Sequence, residues 1–402
     1  MKKQLSPTSK KERLMELDVI RGFALFGILV VNMSYFSTPA LYADMLGIDG
    51  HVHLIENVLR WGISLFFEFK FVSLFSLLFG ISFAMFLARL EHKKVKAKTL
   101  FKRRLRFLLV LGLIHLLFFW YGDILTIYAL LGFLLPIFVT FNRKIMLWWV
   151  CLLPLIPILL LIFAIITKFN MMESHTLQTI EHLYMNTIHT YGNGSFIDIF
   201  KHRLIDIMFI YQGYILMIPV IFSMFLFGIY AWKSGYISEP IKNVKVLKQM
   251  QKYSLIIGAP FALIASFSEF KVNSYFSPFY YIQFIGHAVS GPALAIFYMI
   301  SLLLILQKHS WKHRLSFLQP VGRMALTNYL MQTLICTNLF YSTGFGLFNQ
   351  VNTLVRFGIA TLIFIAQVII SQIWLQYYQM GPLEAIWRKY TYQEQKSVKQ
   401  QI

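Results

Sequence analysis

The chain has 402 residues, of which 57% are hydrophobic and only 13% are charged. A soluble protein usually carries charged side chains on about a quarter of its residues, so this composition excludes an ordinary soluble globular domain. The apolar residues instead fall in runs of about 20, the length needed to cross a hydrocarbon layer about 30 Å thick. We therefore predict an all-α, polytopic membrane helix bundle whose main partner is the lipid bilayer.

The formal net charge is +20, and the basic residues stand in short clusters between apolar runs. Such clusters are typical of the cytoplasmic loops of membrane proteins, so we predict no nucleic-acid partner. The two cysteines, Cys151 and Cys336, both lie in apolar runs, which argues against a disulfide framework. The sequence has neither metal-ligand spacing nor a nucleotide-binding motif, so we predict no metal site and no tightly bound cofactor.

The apolar runs predict about ten membrane spans. They cover residues 17–37, 61–87, 104–121, 123–141, 145–167, 206–231, 253–270, 280–306, 317–338 and 355–378. The predicted organisation is a basic cytoplasmic arm at 1–16, a helix bundle at 17–378 and a cytoplasmic tail at 379–402. The bundle includes an outer loop at 169–205 with an interfacial helix at 177–191. The alternation of Lys and Arg clusters places both termini in the cytoplasm.

Ionisable side chains at the centre of a membrane helix cost about 3 kcal/mol, so they mark the candidate functional site. His115 lies in the third span, and Asp123 begins the fourth after a tight turn, so the two side chains could approach each other. An imidazole oriented by a carboxylate is the arrangement of a general base. The structural alternative is that Asp123 caps its helix while His115 hydrogen-bonds a carbonyl.

Several polar residues are predicted towards the cytoplasmic ends of spans. Asp18 and Arg21 are three residues apart and share a helical face. They form an interfacial ion pair in one interpretation; in the other, Arg21 faces a cytoplasmic cavity and holds an anionic group. Asn32 lies about three turns further along that face, towards the outer side, as a helix–helix contact or a functional group. Glu384 and Arg388 are spaced as an i, i+4 pair on a cytoplasmic helix.

Other polar residues are predicted deeper in the bundle. Lys70 in the second span either extends to the interface or pairs with an acidic residue of another span. His287 is a second candidate base, and Pro292 beyond it predicts a broken helix at that depth. Asn328 and Gln332 are four residues apart on one face of the ninth span.

Five blocks of the chain stand out, in this order: LDVIRGFALFGILVVNM, KFVSLFSLLFG, GLIH…WYGDILTIYA, GRMALTNYLMQ and GPLEAIWRKYTY. Together they resemble the YeiB-like (DUF-418) family of bacterial multi-pass membrane proteins. The resemblance runs from about residue 15 to 393 and implies a cell-membrane protein of about ten helices. That family is in turn similar to membrane acyltransferases of the heparan-glucosaminide acetyltransferase type.

This wider likeness implies an acyl-CoA that enters from the cytoplasm and a sugar-like acceptor on the far side. In the acyltransferases that decorate bacterial surface sugars, the polar position eleven residues after the first-span arginine is a catalytic histidine. Here that position is Asn32, as in the heparan-type enzymes, which use a separate outer-side histidine as the base. Candidates for that base are His51, His53 and His115, and we prefer His115 because it lies in a matching block.

The leading hypothesis is acyl transfer from a cytoplasmic acyl-CoA, used as a co-substrate, to a cell-envelope acceptor. The expected catalytic residues are His115, as the base, and Asp123, which orients it. Asn32, Asn328 or Tyr128 is expected to stabilise the oxyanion. The expected residues for binding substrate or acyl-CoA are Asp18, Arg21, Lys70, Arg106, Asn328, Gln332, Glu384 and Arg388. The alternatives are a transporter or exporter of a small metabolite and a non-catalytic membrane protein. Neither the acceptor nor the oligomeric state follows from the sequence.

Overall fold

A computed structural model describes residues 14–48, 54–92, 97–167, 173–272 and 277–392. The candidate histidines His51 and His53 lie outside these ranges, as do the beginning of the basic arm and the tail after Tyr392. Within the described ranges, every regular element is an α-helix. The predicted all-α class is confirmed.

The described residues form helices that we number α1 to α17 in chain order. Their bounds are α1 Met15–Ser37, α2 Ala40–Leu46, α3 Leu54–Phe66, α4 Lys70–His92, α5 Ala97–Phe118, α6 Leu125–Gly132, α7 Leu135–Phe138, α8 Arg143–Ile166, α9 Glu173–Asn193, α10 Phe196–Lys233, α11 Val244–Glu269, α12 Pro278–Ile305, α13 His309–Arg314, α14 Leu318–Arg323, α15 Ala325–Phe340, α16 Thr353–Tyr377 and α17 Pro382–Tyr392.

Side-chain caps set the beginnings of several long helices. The Asn142 and Asn352 side chains accept hydrogen bonds from the third amides of α8 and α16. At the beginning of α10, Ser195 and Asp198 form a capping box. Each cap satisfies a donor that the helix itself leaves without a partner.

Seven segments of the described chain are long and apolar enough to cross a membrane. They are Met15–Ser37, Leu54–Leu90, Arg143–Ile166, Phe196–Lys233, Val244–Glu269, Pro278–Ile305 and Thr353–Tyr377. In α8 only 11% of the most apolar stretch is buried in the protein, and Trp148, Leu159 and Phe163 are strongly exposed. Such a surface is stable against lipid and not against water, so the chain is a membrane protein.

The three remaining predicted spans fall on helices that are more charged or shorter. The α5 helix carries four basic residues between Lys102 and Arg106. The run at 123–141 divides into the short helices α6 and α7, and the run at 317–338 is interrupted at Met324. The ten-span count and the cytoplasmic placement of both termini stay predictions.

Several predicted boundaries are corrected by the structure. The outer loop at 169–205 consists mostly of helix, because α9 covers the predicted interfacial helix and α10 already begins at Phe196. The second span is divided between α3 and α4, and Phe69 in the break has φ of 60°. The break predicted near Pro292 is wrong, since α12 continues through this proline.

Glycines let helices of the bundle cross with their backbones in contact. A Cβ atom on Gly80 of α4 would lie 2.0 Å from the carbonyl oxygen of Phe225, and one on Gly228 of α10 would lie 2.3 Å from that of Leu77. Similarly, a Cβ atom on Gly322 would lie 1.8 Å from the Asp18 carbonyl oxygen. Small residues at such crossings are the usual means of close packing between membrane helices.

We expect Gly80→Ala to lower the melting temperature of the detergent-purified protein, because α4 and α10 must move apart to accommodate the methyl group. The expected cost is about 1–3 kcal/mol. Gly213→Ala is the matched control, since a Cβ atom at this α10 position meets open space. Equal melting temperatures for the two variants would contradict the close crossing of α4 and α10.

Candidate functional site

The turn between α5 and α6 brings His115 and Asp123 together. Gly112, one turn before His115, lies against the first turn of α6, where a Cβ atom would be 2.6 Å from the Thr126 amide nitrogen. Asp123 precedes α6 and its carboxylate accepts hydrogen bonds from the amides of Leu125, at 3.2 Å, and Thr126, at 2.7 Å. The carboxylate is therefore held at a helix N-terminus, where negative charge is favoured.

His115 is held between two partners on different helices. Its Nδ1 lies 2.8 Å from Oδ1 of Asp123, and its Nε2 lies 2.9 Å from Oγ1 of Thr333 on α15. All three side chains are at most 2% exposed. In the neutral imidazole, the carboxylate favours the tautomer with the proton on Nδ1, which leaves the Nε2 lone pair towards the Thr333 hydroxyl. We name Asp123, His115 and Thr333 the α5–α15 triad.

Buried donors surround the α5–α15 triad. The His115 ring lies 5.5 Å from the ring of Tyr329 and 6.4 Å from that of Trp120. Among the described residues, the Trp120 indole nitrogen and the Thr126 hydroxyl have no hydrogen-bond partner. The Tyr329 hydroxyl, which accepts from the Ile124 amide, has no acceptor for its own proton among those residues. Buried polar groups in folded proteins are nearly always paired, so this concentration of free donors favours a binding site.

Three other predicted site residues have hydrogen-bond partners other than His115. The Tyr128 hydroxyl lies 2.7 Å from the Ser76 hydroxyl and donates to the Val72 carbonyl of α4. Gln332 donates to the Gln367 side chain of α16 at 2.9 Å, and the Asn328 amide donates to Ser371 at 3.0 Å. These contacts join α15 to α16 and α6 to α4. Asn32 is half-buried on α1.

On α1, Arg21 makes the predicted contact with Asp18, at 2.7 Å, and also donates to Ser82 of α4 at 2.9 Å. A neighbouring basic group on α5 was not singled out by the sequence. The Arg104 guanidinium lies over the rings of Phe86 and Trp387, at 4.8 and 4.3 Å. Such stacking suits a guanidinium held close to apolar surface.

Arg106 is exposed on α5, two residues beyond Arg104. On α17, the Glu384 carboxylate accepts hydrogen bonds from the amides of Leu326 and Thr327 and so caps α15. Arg388 lies 3.7 Å from the Met380 sulfur. The predicted helix is present as α17, and Glu384 fixes it to the beginning of the helix that carries Thr333.

A second charged cluster lies where α3 and α4 meet α12. The Lys70 ammonium is fully buried, donates to the Ser64 carbonyl at 2.7 Å and lies 3.4 Å from Nδ1 of His287. Nε2 of His287 lies 3.2 Å from the Glu68 carboxylate. Phe69, between the two charged residues, stacks on the imidazole at 4.9 Å. Its left-handed backbone turns Glu68 and Lys70 towards opposite sides of His287.

A third cluster, absent from the sequence predictions, joins α2, α9 and α10. The buried Asp206 carboxylate accepts hydrogen bonds from the hydroxyls of Tyr42, at 2.7 Å, and Tyr191, at 2.5 Å. Burial, and then the Asp206 charge, raise the pKa of Tyr42 and Tyr191, so both phenols stay protonated donors. The i, i+4 spacing of His202 and Asp206 on a helix was the available signal.

A cavity between α4, α10, α11 and α12 is separate from these clusters. It is lined by apolar side chains and Tyr236, among them Leu77, Phe227, Met250 and Met299. No residue of the α5–α15 triad lines this cavity. Its composition suits packing or a lipid chain more than acid–base chemistry.

We expect Glu68→Gln to lower stability, because Lys70 and His287 then lose the carboxylate that balances the buried ammonium. The expected cost is about 1–3 kcal/mol, less than for a fully buried pair because Glu68 is one-third exposed. Glu239→Gln is the control, since its pair with Lys242 is mostly exposed and adds little. Thermal unfolding in detergent measures both variants. An unchanged melting temperature for Glu68→Gln would contradict the electrostatic coupling of Glu68 to Lys70 and His287.

Comparison with known proteins extends the resemblance seen in the sequence. A family described as "Protein of unknown function (DUF418)" matches residues 231–394, from the end of α10 into the region after α17. The α5–α15 triad lies partly before this match, but whole-length relatives cover it.

An uncharacterized protein of Bacillus subtilis (strain 168), YxaH, is 34% identical over 412 residues, covering 96% of both chains. An uncharacterized 39.9 kDa protein in the amylase 3' region of Bacillus acidopullulyticus is 30% identical, with 96% of both chains covered. YeiB of Escherichia coli (strain K12), also uncharacterized, is 29% identical over 94% of this chain and 96% of its own. No solved structure matches the chain. This membrane protein belongs to the YeiB-like DUF418 family.

Proposed function

We propose that this protein is an acyltransferase of the bacterial cell membrane. It moves an acyl group from a cytoplasmic acyl-CoA to a hydroxyl or amine of a sugar-like cell-envelope compound. The observation that carries the proposal is the pairing of His115 with Asp123 inside an apolar bundle, at 2.8 Å. A buried histidine whose Nδ1 is held by a carboxylate presents Nε2 as a base, which is what proton removal from an attacking hydroxyl requires.

The α5 helix connects this base with a basic surface. Lys98, Lys102 and Arg106 are exposed towards its N-terminal end, whereas His115 is buried nine residues beyond Arg106. At 1.5 Å per residue, this separation is about 14 Å along the helix axis. Phosphates of the donor would be attracted to the basic end, and the thioester would reach towards the α5–α15 triad.

The proton transfers follow from the side chains in place. Nε2 of His115 takes the proton of the attacking hydroxyl as its oxygen bonds to the acyl carbon. The carbon–sulfur bond breaks, and the imidazolium returns the proton to the departing thiolate. Asp123 stays ionised throughout and stabilises the imidazolium between the two transfers.

We expect His115→Ala to lower acyl-CoA turnover about 10²- to 10⁴-fold, because the general base is removed. Asp123→Asn should lower it about 10²-fold or more, because an amide no longer fixes the productive tautomer. Turnover is measured as thiol release from acetyl-CoA and longer acyl-CoAs by the purified protein, with amino sugars and envelope extracts as acceptors. The acylated product is identified by mass spectrometry.

His182→Ala is the matched control, because His182 is exposed on α9 and should retain full turnover. All variants are compared at equal folded fraction, judged by gel filtration and thermal unfolding. Wild-type protein without thiol release would overturn the proposal. If reconstituted vesicles then took up the acceptor chemically unchanged, the protein would be a transporter.

A further inference from the structure

The Thr333 hydroxyl has an unusual partner for a threonine inside a helix. One turn further along α15, the Thr337 hydroxyl donates to the Thr333 carbonyl at 2.8 Å, the usual backbone contact of a helical threonine. Oγ1 of Thr333 instead lies 2.9 Å from Nε2 of His115. The hydroxyl therefore faces the one nitrogen of the imidazole that can accept its proton.

The three side chains stand in the order that activates a nucleophile. Asp123 fixes the proton on Nδ1 of His115, and the resulting Nε2 lone pair lies within hydrogen-bonding distance of a hydroxyl. A nucleophile, a base and a group that orients the base, each within about 3 Å of the next, is the general signature of covalent catalysis. The α5–α6 turn supplies the carboxylate, α5 supplies the imidazole, and α15 supplies the hydroxyl.

We propose that Thr333 is the nucleophile of this site and carries the acyl group as an ester between two half-reactions. This inference rests on the acyl transfer proposed above and replaces its single direct step by two steps with a covalent intermediate between them. The substrate class is a thioester in the first half-reaction and an alcohol or amine in the second.

Both half-reactions balance with the groups in place. In the first, Nε2 of His115 takes the Thr333 proton while Oγ1 bonds to the acyl carbon, and the carbon–sulfur bond breaks as the thiolate leaves with that proton. In the second, the acceptor hydroxyl gives its proton to Nε2 and its oxygen bonds to the acyl carbon. The bond from that carbon to Oγ1 then breaks, and Thr333 recovers a proton from the imidazolium.

Two free donors suit the negative charge that develops on the acyl oxygen. The Tyr329 hydroxyl and the Trp120 Nε1–H belong to buried side chains beside His115, and neither has a hydrogen-bond acceptor among the described residues. An acyl oxygen bound next to Thr333 would accept from them as it becomes an oxyanion. Donors prearranged in this way commonly supply a large part of catalysis.

An acyl-threonine also resolves a geometric requirement of transfer across a membrane. Acyl-CoA and the acceptor approach from opposite sides and need not occupy the site together if the acyl group stays on α15 in the meantime. The kinetic consequence is a ping-pong pattern, in which free thiol is released before the acceptor binds.

The test is to incubate the full-length protein with isotopically labelled acetyl-CoA without acceptor, quench it in acid, and locate the label by peptide mass spectrometry. We expect one acetyl group on the peptide that contains Thr333. Thr333→Val, which keeps the side-chain shape, should abolish the label and lower turnover at least about 10²-fold. Thr333→Ser should retain the label on the serine oxygen. Thr337→Val is the matched control and should be labelled like the wild type.

The outcomes separate this inference from the acyltransferase proposal. If a folded Thr333→Val variant carried no label but turned over acyl-CoA as fast as the wild type, Thr333 would not be the nucleophile. Direct transfer with His115 as the base would then remain. A label on His115 or on any other residue would also overturn the covalent role of Thr333. If Thr333→Val fails to fold, the labelled peptide of the wild type and of Thr333→Ser is the test. A label on residue 333 in both proteins supports the covalent role, and a label elsewhere overturns it. Wild-type protein that releases no thiol contradicts both proposals.

Discussion

The cost of leaving a polar group unpaired in an apolar interior governs how this bundle is assembled. His115, Asp206 and Lys70 are each at most 2% exposed, and each has its polar atoms within contact distance of groups on other segments. In lipid such groups cannot turn to water, so the contacts select one arrangement of helices among many that would bury similar apolar area. The apolar contacts supply most of the cohesion, and the polar contacts supply the specificity.

These polar contacts depend on close backbone approach. Gly112 lets the first turn of α6 lie against α5, next to the 2.8 Å contact between His115 and Asp123. Glu384 caps α15 from the neighbouring helix α17 and so sets the position from which Thr333 reaches the imidazole. The geometry of the α5–α15 triad is therefore a consequence of helix crossings and caps on both of its sides.

The three charged clusters differ in what they offer chemically. Around Asp206, two phenols and a histidine occupy the carboxylate, so that cluster holds α2, α9 and α10 together. Around His287, a lysine and a glutamate lie on the two ring nitrogens and balance each other. At His202, the Thr187 hydroxyl and the Asp206 carboxylate both lie on Nε2. Around His115, in contrast, the carboxylate lies on Nδ1 and a hydroxyl lies on Nε2, with unpartnered donors nearby among the described residues. This combination is why the proposed chemistry is placed there.

The sequence alone determined the class of the protein, because membrane helices are specified by local composition. A run of about 20 apolar residues predicts a span whatever its neighbours in the bundle are. It also identified His115 with Asp123 and Asp18 with Arg21, since each pair is close along the chain and joined by one turn or one helical face. The helix break at Phe69 and the continuity of α12 through Pro292 were not predictable. Contacts with neighbouring helices decide whether the chain breaks or continues at such positions.

Only the tertiary structure decided which distant groups meet. Thr333 lies 218 positions from His115, and nothing in the local pattern of α15 distinguishes its hydroxyl from that of Thr337. Lys70 likewise meets His287 across 217 positions. Contacts of this kind depend on the relative rotation and depth of packed helices, which are set by the whole bundle and leave no local trace in the sequence.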